Sequence, residues 1–151
     1  MDPEEIADMI RRLAFRLKIS KKSMEKVSSE LEIRIKNSRA CREGDIASIY
    51  DEGVRLYRMK LFLDLIPQYV KAAEIIALKI SISPKVNLSK KLIQRIDDGV
   101  EGRLSDDEIM KIIRNIAIEL KDPIVQTLID VDDLMKQSRI LEYLSNLCKG
   151  K

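Results

Sequence analysis

Apolar residues recur every three or four positions along residues 6–31, which is the heptad pattern of a helix that packs along one side. Asp2 suits the cap of this helix, and Pro3 suits its first position. The pattern predicts one helix over about residues 3–42, a length that needs a packing partner along its apolar side. One apolar row is Ile10, Leu17, Met24 and Leu31, and the other is Ile6, Leu13 and Val27, with Ser20 and Arg34 as polar interruptions.

A second helical stretch begins directly after Gly44. Because glycine commonly ends a helix in a left-handed conformation, Arg42, Gly44 and Asp45 are predicted to form the tip of an antiparallel hairpin. Asp45 would cap the second helix, over about residues 45–80, and Pro67 predicts a kink or break inside it. Its apolar row is Ile46, Tyr50, Val54, Tyr57, Leu61, Leu65, Tyr69, Ala72, Ile76 and Ile80.

The remainder of the chain predicts a linker and three shorter helices. Residues 81–89 contain Pro84 and several serines and are interpreted as the linker. Helices are predicted over about residues 88–98, from the capping box at Ser105 to about residue 121, and from Asp122-Pro123 to about residue 147. The fold class is therefore all-α, with residues 1–151 as a single domain, a core hairpin over 3–80 and a C-terminal helical region over 90–151.

Composition argues against catalysis. The chain has no histidine and contains no phosphate-binding glycine loop, nucleophile elbow or catalytic Cys-His pattern, so we expect no enzyme activity and no cofactor. The loop from Asp97 to Glu108 partly resembles an EF-hand, but Gly99 stands where a calcium ligand is needed, and no metal site is expected.

Cys41 and Cys148 match no zinc spacing and make no disulfide framework, which favours a reducing cytoplasm. Acidic residues at the start of the chain predict no secretory signal.

Positive charge is concentrated in residues 11–42, where eleven basic residues face three acidic ones, although the whole chain has a net charge of only +3. Such an excess indicates contact with an anionic surface or electrostatic pairing with another subunit, or it forms an ordinary solvated helix face. Nucleic acid is disfavoured as a partner because aromatic residues do not interleave with the basic ones. The predicted membrane or subunit contact consists of Arg11, Arg12, Arg16, Lys18, Lys21, Lys22 and Lys26.

Two stretches, IRIKNSRACREGDIASIYDEGVRLYRMKLFLDL and AAEIIALKIS, resemble the hairpin of the ESCRT-III family over roughly residues 10–82. The particular points of similarity are Gly44, Ala47, Tyr50 and the basic run Arg55, Arg58 and Lys60. The resemblance implies a subunit that assembles with copies of itself or with related subunits into filaments on anionic membranes. It further implies membrane remodelling or scission, as in the cell division of archaea that have this family, with remodelling of the polymer by an AAA ATPase.

The same resemblance implies an ATPase-docking helix near the end of the chain. In DDLMKQSRILEYLSNL, the matching residues are Asp133, Leu134, Arg139, Leu141 and Leu144, and a last helix packed on the hairpin is the alternative. The expected location is cytoplasmic, peripheral to the membrane and at the division site. Two other functions remain open: a helical adaptor or regulatory bundle that binds one protein and never polymerises, and a small DNA-binding replication or transcription factor.

Overall fold

Residues 1–150 are described by the structure, a computed structural model, and they are all-helical, with 81% helix and no strand. The longest two helices are α1, Pro3–Lys36, and α3, Tyr50–Ser81, separated by the short α2, Arg39–Glu43, and a 3₁₀ helix, Ile46–Ile49. After α3 follow α4, Lys90–Val100, α5, Asp106–Glu119, a 3₁₀ helix, Pro123–Thr127, α6, Val131–Lys136, and α7, Ile140–Lys149.

The starts of α1 and α5, which were predicted from capping residues, are confirmed. The Asp2 carboxylate accepts a hydrogen bond from the backbone N–H of Glu5 at 2.8 Å, and this bond lowers the pKa of Asp2. At α5, the Ser105 hydroxyl accepts from the Glu108 N–H while the Glu108 carboxylate accepts from the Ser105 N–H, each at 3.2 Å. This reciprocal pair is the capping box that the sequence predicts.

The first predicted helix is too long by six residues. α1 ends at Lys36, where Ser38 turns the chain and caps α2 by accepting a hydrogen bond from the Cys41 N–H at 3.2 Å. Gly44 ends α2 in the left-handed region, with φ 77°, as predicted, but it ends a five-residue helix and not the long one. The side chain of Asp45 forms no cap hydrogen bond, so its predicted capping role is wrong.

Two further element predictions need correction. α3 continues through Pro67, and the turns on both sides of Pro67 remain helical, so of the predicted kink or break the break does not occur. The last helix, predicted from Asp122 to about residue 147, is three separate elements, because the chain leaves the helical conformation after Thr127 and again after Lys136. Asp130 begins the second of these elements by accepting a hydrogen bond from the Asp132 N–H at 2.7 Å.

The chain divides into two compact units, of which the first comprises Met1–Lys21 and Leu65–Ile129. In this unit, Leu13 of α1 approaches α4 so closely that a Cβ atom on Gly99 would lie 2.7 Å from Leu13 Cδ2. Ser20, which interrupts the heptad, donates a hydrogen bond to Asp106 of α5 at 2.7 Å, so the polar position is satisfied. The buried core of the unit includes Ile6, Ile10, Leu17, Ile66, Tyr69, Ile76, Ile96, Ile109, Ile113 and Ile116.

The second unit comprises Lys22–Asp64 and Asp130–Lys151. Residues from the end of α1, the bend before α3, the start of α3 and the last helix form its core, which is smaller. The buried residues of this core are Leu31, Ile35, Cys41, Ile49, Leu56, Ile140 and Leu144. Val27, predicted as a heptad core residue, is 43% exposed, so the apolar seam of α1 does not continue through that position.

Candidate functional site in the basic residues of helix α1

Arg16 belongs to the structure of the first unit and not to a free contact surface. Its guanidinium is half-buried and donates two hydrogen bonds to the carbonyl of Val100 at the end of α4, from Nη2 at 2.8 Å and from Nε at 3.2 Å. Gly102 allows this close approach, because a Cβ atom there would lie 3.0 Å from Arg16 Nη2. Arg16, one of the seven basic residues predicted to form the contact, therefore donates to a carbonyl that lacks a partner within its own helix.

Three of the other predicted contact residues are exposed but already paired with carboxylates. Arg11 lies 3.6 Å from Glu4, Arg12 lies 3.1 Å from Asp8 one turn earlier, and Lys18 lies 3.0 Å from Glu74 of α3. Exposed pairs of this kind contribute only about 0.2–1 kcal/mol and open readily, so these cations can exchange partners with an anionic ligand. They are secondary candidates for the contact.

Lys21, Lys22 and Lys26 form no ion pair with any residue among those at 1–150. Lys22 and Lys26 are exposed, and they lie one turn apart on the same helix. Lys21 is half-buried in the first unit, where its side chain lines a small apolar recess with Pro67. These three lysines are the part of the predicted contact whose charges are not neutralised by the protein itself.

A groove of about 590 Å³ lies beside α1 and α3 within the first unit. Two of its side chains, Phe15 and Leu78, are each 61% exposed. The rim is charged, because Arg11, Lys18, Lys71 and Glu74 surround the apolar floor. The sequence pattern gave no signal for this groove, since Phe15 falls outside the heptad rows of α1 and Leu78 falls outside the apolar row predicted for the second helix.

The residues predicted as the hairpin tip, Arg42, Gly44 and Asp45, are all exposed at the bend of the second unit. Next to them, Cys41 is joined by a disulfide to Cys148 in α7, with 5.2 Å between the two Cα atoms. This bond was not predicted, because the two cysteines were expected to make no disulfide framework. Their spacing of 107 residues matches no motif, so only the folded chain brings them together.

The five residues predicted to dock an ATPase do not lie on one helix. Asp133 and Leu134 belong to α6, whereas Leu141 and Leu144 belong to α7, and Arg139 stands between the two helices. Leu144 is completely buried against Gly53 of α3, while Leu141 is 50% exposed. The predicted docking surface is therefore not assembled in this structure, and Leu144 acts as a core residue.

The carboxylate of Glu32 is the most enclosed acidic partner of the second unit's lysines. Lys60 Nζ lies 3.0 Å from Glu32 Oε1, and Lys36 Nζ lies 3.5 Å from Oε2. The hydrogen bond from Lys60 lowers the pKa of Glu32 below its ordinary value of 4.5, and the positive charges of Lys60 and Lys36 act in the same direction.

Within residues 1–150, no three acidic, cysteine or histidine side chains are grouped so that they would hold a metal ion, and Asp97 and Glu108 of the EF-hand-like loop lie in α4 and α5. None of the helices in this part of the chain is both long and apolar enough to cross a bilayer.

Comparisons with protein-family models, with curated proteins and with solved structures find no match for the chain. What the structure defines is thus a class, an all-helical protein with two long helices and a basic first helix.

Proposed function

We propose that the chain is an ESCRT-III-like subunit that polymerises on anionic membranes and remodels them, with cell division as the process in which it acts. The observation that carries the proposal is the set of unneutralised lysines on α1, of which Lys22 and Lys26 are exposed without an ion pair among the described residues. These side chains are available to anionic headgroups, whereas Arg16 is already committed to the fold.

The long antiparallel hairpin belongs to the same proposal. Contacts inside each unit support it: in the first unit Lys18 of α1 pairs with Glu74 of α3, and in the second unit Glu32 of α1 pairs with Lys60 of α3. The later α1 residue pairs with the earlier α3 residue, which is the order that antiparallel helices require. Gly44, with its left-handed backbone, lies between α1 and α3, where the proposed hairpin would turn.

The energetics favour assembly over binding by single subunits. A lysine near an anionic membrane surface contributes about 1 kcal/mol, so Lys21, Lys22 and Lys26 together supply about 3 kcal/mol, and salt weakens the attraction. That amount holds one subunit only weakly. A filament presents the same lysines many times on one surface, and the resulting avidity converts weak contacts into stable binding.

Action of an AAA ATPase on the chain would require a rearrangement near its end. Leu144 is buried and the helical segments around Arg139 are separate, so a docking helix over residues 132–147 would form only after α7 leaves its present position. With that condition, the ATPase is among the proposed partners, together with copies of this chain or related subunits.

Cosedimentation with vesicles tests the proposed function. The chain is incubated with vesicles of phosphatidylcholine alone or with added phosphatidylserine, centrifuged, and imaged by negative-stain electron microscopy. We expect pelleting only with the anionic vesicles, together with filaments or tubulated vesicles.

Other outcomes would assign the chain to a different class. A chain that stays monomeric at high concentration and ignores anionic vesicles would contradict the proposal and would favour an adaptor for one protein. Steep, salt-dependent binding of duplex DNA without vesicle binding would instead favour a DNA-binding factor.

A further inference from the structure

The disulfide between Cys41 and Cys148 ties the last helix of the chain to the bend that precedes α3. Both cysteines belong to the second unit, and they are 107 residues apart in sequence. Cys41, in α2, is only 4% exposed, whereas Cys148 near the end of α7 is half-buried. One sulfur of the bond is therefore shielded and the other is nearer to solvent.

Apolar contacts also hold α7 in place, since Tyr143 and Leu147 pack against the core of the second unit. Ile140 and Leu144 are its buried residues, and the ring of Tyr143 meets that of Tyr57 edge-on with 5.1 Å between the centroids. α7 has ten residues, which is shorter than the length at which an isolated helix persists in water. Its position consequently depends on these apolar contacts and on one covalent bond.

We propose that the Cys41–Cys148 bond is a thiol–disulfide exchange site, and that its reduction by a dithiol releases α7 from the second unit. The bond lowers the chain entropy of the detached state, so breaking it makes detachment of α7 much more favourable. Release uncovers the apolar residues against which α7 packs, namely Ile49, Gly53, Leu56 and Tyr57. The redox state of one bond thereby decides whether this strip is covered.

The exchange reaction balances with a dithiol as the only co-reactant. A thiolate of the dithiol attacks Sγ of Cys148, because Cys41 is shielded; the protein S–S bond breaks, and its electron pair leaves on Cys41 Sγ, which takes up a proton. The second thiolate of the reagent then attacks the mixed disulfide, which frees Cys148 as a thiol and closes the disulfide of the reagent. Two electrons and two protons pass from the dithiol to the protein.

Hydrogen exchange of the full chain, measured by mass spectrometry with and without dithiothreitol, tests the inference. In the chain purified without reductant, alkylation under denaturing conditions should find no free thiol. After reduction, amides 140–149 should exchange at least about tenfold faster, while amides 106–119 of α5 keep their rates. Reoxidation should restore the slow exchange of α7, and a Cys41→Ser/Cys148→Ser variant should exchange rapidly under both conditions.

Three results would overturn the inference. Two free thiols in the unreduced chain would mean that the bond does not form. Unchanged exchange of α7 after reduction would mean that packing alone holds the helix. Faster exchange of α5 together with α7 would mean that the bond supports the whole fold and releases no particular segment.

Discussion

Gly53 and Leu144 should be strongly coupled in stability, because the glycine leaves the space that the leucine fills. A methyl carbon at position 53 would lie 2.6 Å from Leu144 Cδ1 and 2.8 Å from Cγ, both well inside van der Waals contact. Leu144 is 0% exposed, so little free space exists into which it could move. Gly53→Ala should therefore force the last helix outward, although alanine is the better helix former.

The magnitudes follow from these contacts. Overpacking costs about 1–3 kcal/mol, and replacing glycine by alanine in a helix returns about 1 kcal/mol, so Gly53→Ala alone should destabilise the fold by at most about 2 kcal/mol. Leu144→Ala removes a buried side chain and should cost about 2–5 kcal/mol. In the Leu144→Ala background, the clash is gone, and Gly53→Ala should be neutral or stabilising.

Chemical denaturation followed by circular dichroism, with the disulfide intact in all four proteins, measures the cycle. We expect a coupling free energy of about 1–3 kcal/mol, with the double variant more stable than the sum of the single effects predicts. Arg55→Ala, at an exposed position of the same helix, is the matched control and should add independently. If Gly53→Ala has the same effect in both backgrounds, the close approach of Leu144 to Gly53 is refuted.

Three further predictions concern single residues. In thermal melts, Gly44→Ala should destabilise the fold by about 1–2 kcal/mol, because a Cβ atom is strained at φ 77° although nothing lies within 4 Å of it. Gly44→Asn should cost less in the same melts. Since the folded pKa of Glu32 is lowered, its charge stabilises the fold above the ordinary pKa of 4.5 and stops doing so as the pH falls through the folded pKa. The stability gap between wild type and Glu32→Gln should therefore be present at pH 7 and close at low pH, and a gap that persists there would contradict this reasoning. In urea titrations, Arg16→Ala should destabilise the fold by about 1.5–3 kcal/mol, because its hydrogen bonds to Val100 are lost. Arg12→Ala, an exposed control, should change stability by less than about 1 kcal/mol. Equal effects of the two substitutions would contradict the role given to Arg16.

The sequence predicted the elements whose boundaries depend on local side-chain chemistry. The start of α1 follows from Asp2, and the start of α5 follows from the capping box at Ser105, because the relevant hydrogen bonds join residues three apart. The heptad spacing of apolar residues correctly predicted that Ile10 and Leu17 lie in the core. These features need no information from distant parts of the chain.

The missed features depend on residues far apart in sequence. Nothing in the spacing of Cys41 and Cys148 indicates a bond, and the buried position of Leu144 depends on the absence of a side chain at Gly53. The last helical stretch broke after residues 127 and 136 without glycine or proline there, so the local sequence contained no strong signal for these breaks.

The predicted basic contact was too inclusive for a similar reason. Charge counting treats all seven basic residues alike, whereas the fold assigns Arg16 to the Val100 carbonyl and leaves Lys22 and Lys26 exposed. Which cation is used inside the protein depends on where the end of α4 lies, and that position is set by tertiary packing.

Binding of charge-reversed variants to anionic vesicles tests the proposed function most directly. One variant carries Lys21→Glu, Lys22→Glu and Lys26→Glu, and the control carries the same change at the exposed residues Lys85, Lys90 and Lys91. Each variant has a net charge of −3, because three changes from lysine to glutamate subtract six from +3, so a difference between them reflects position and not total charge.

We predict that the α1 variant loses at least about 100-fold in affinity for phosphatidylserine-containing vesicles, because losing three lysine contacts alone removes about 3 kcal/mol, while the control variant binds nearly as wild type does. Equal binding by the two variants would contradict the assignment of the membrane contact to α1.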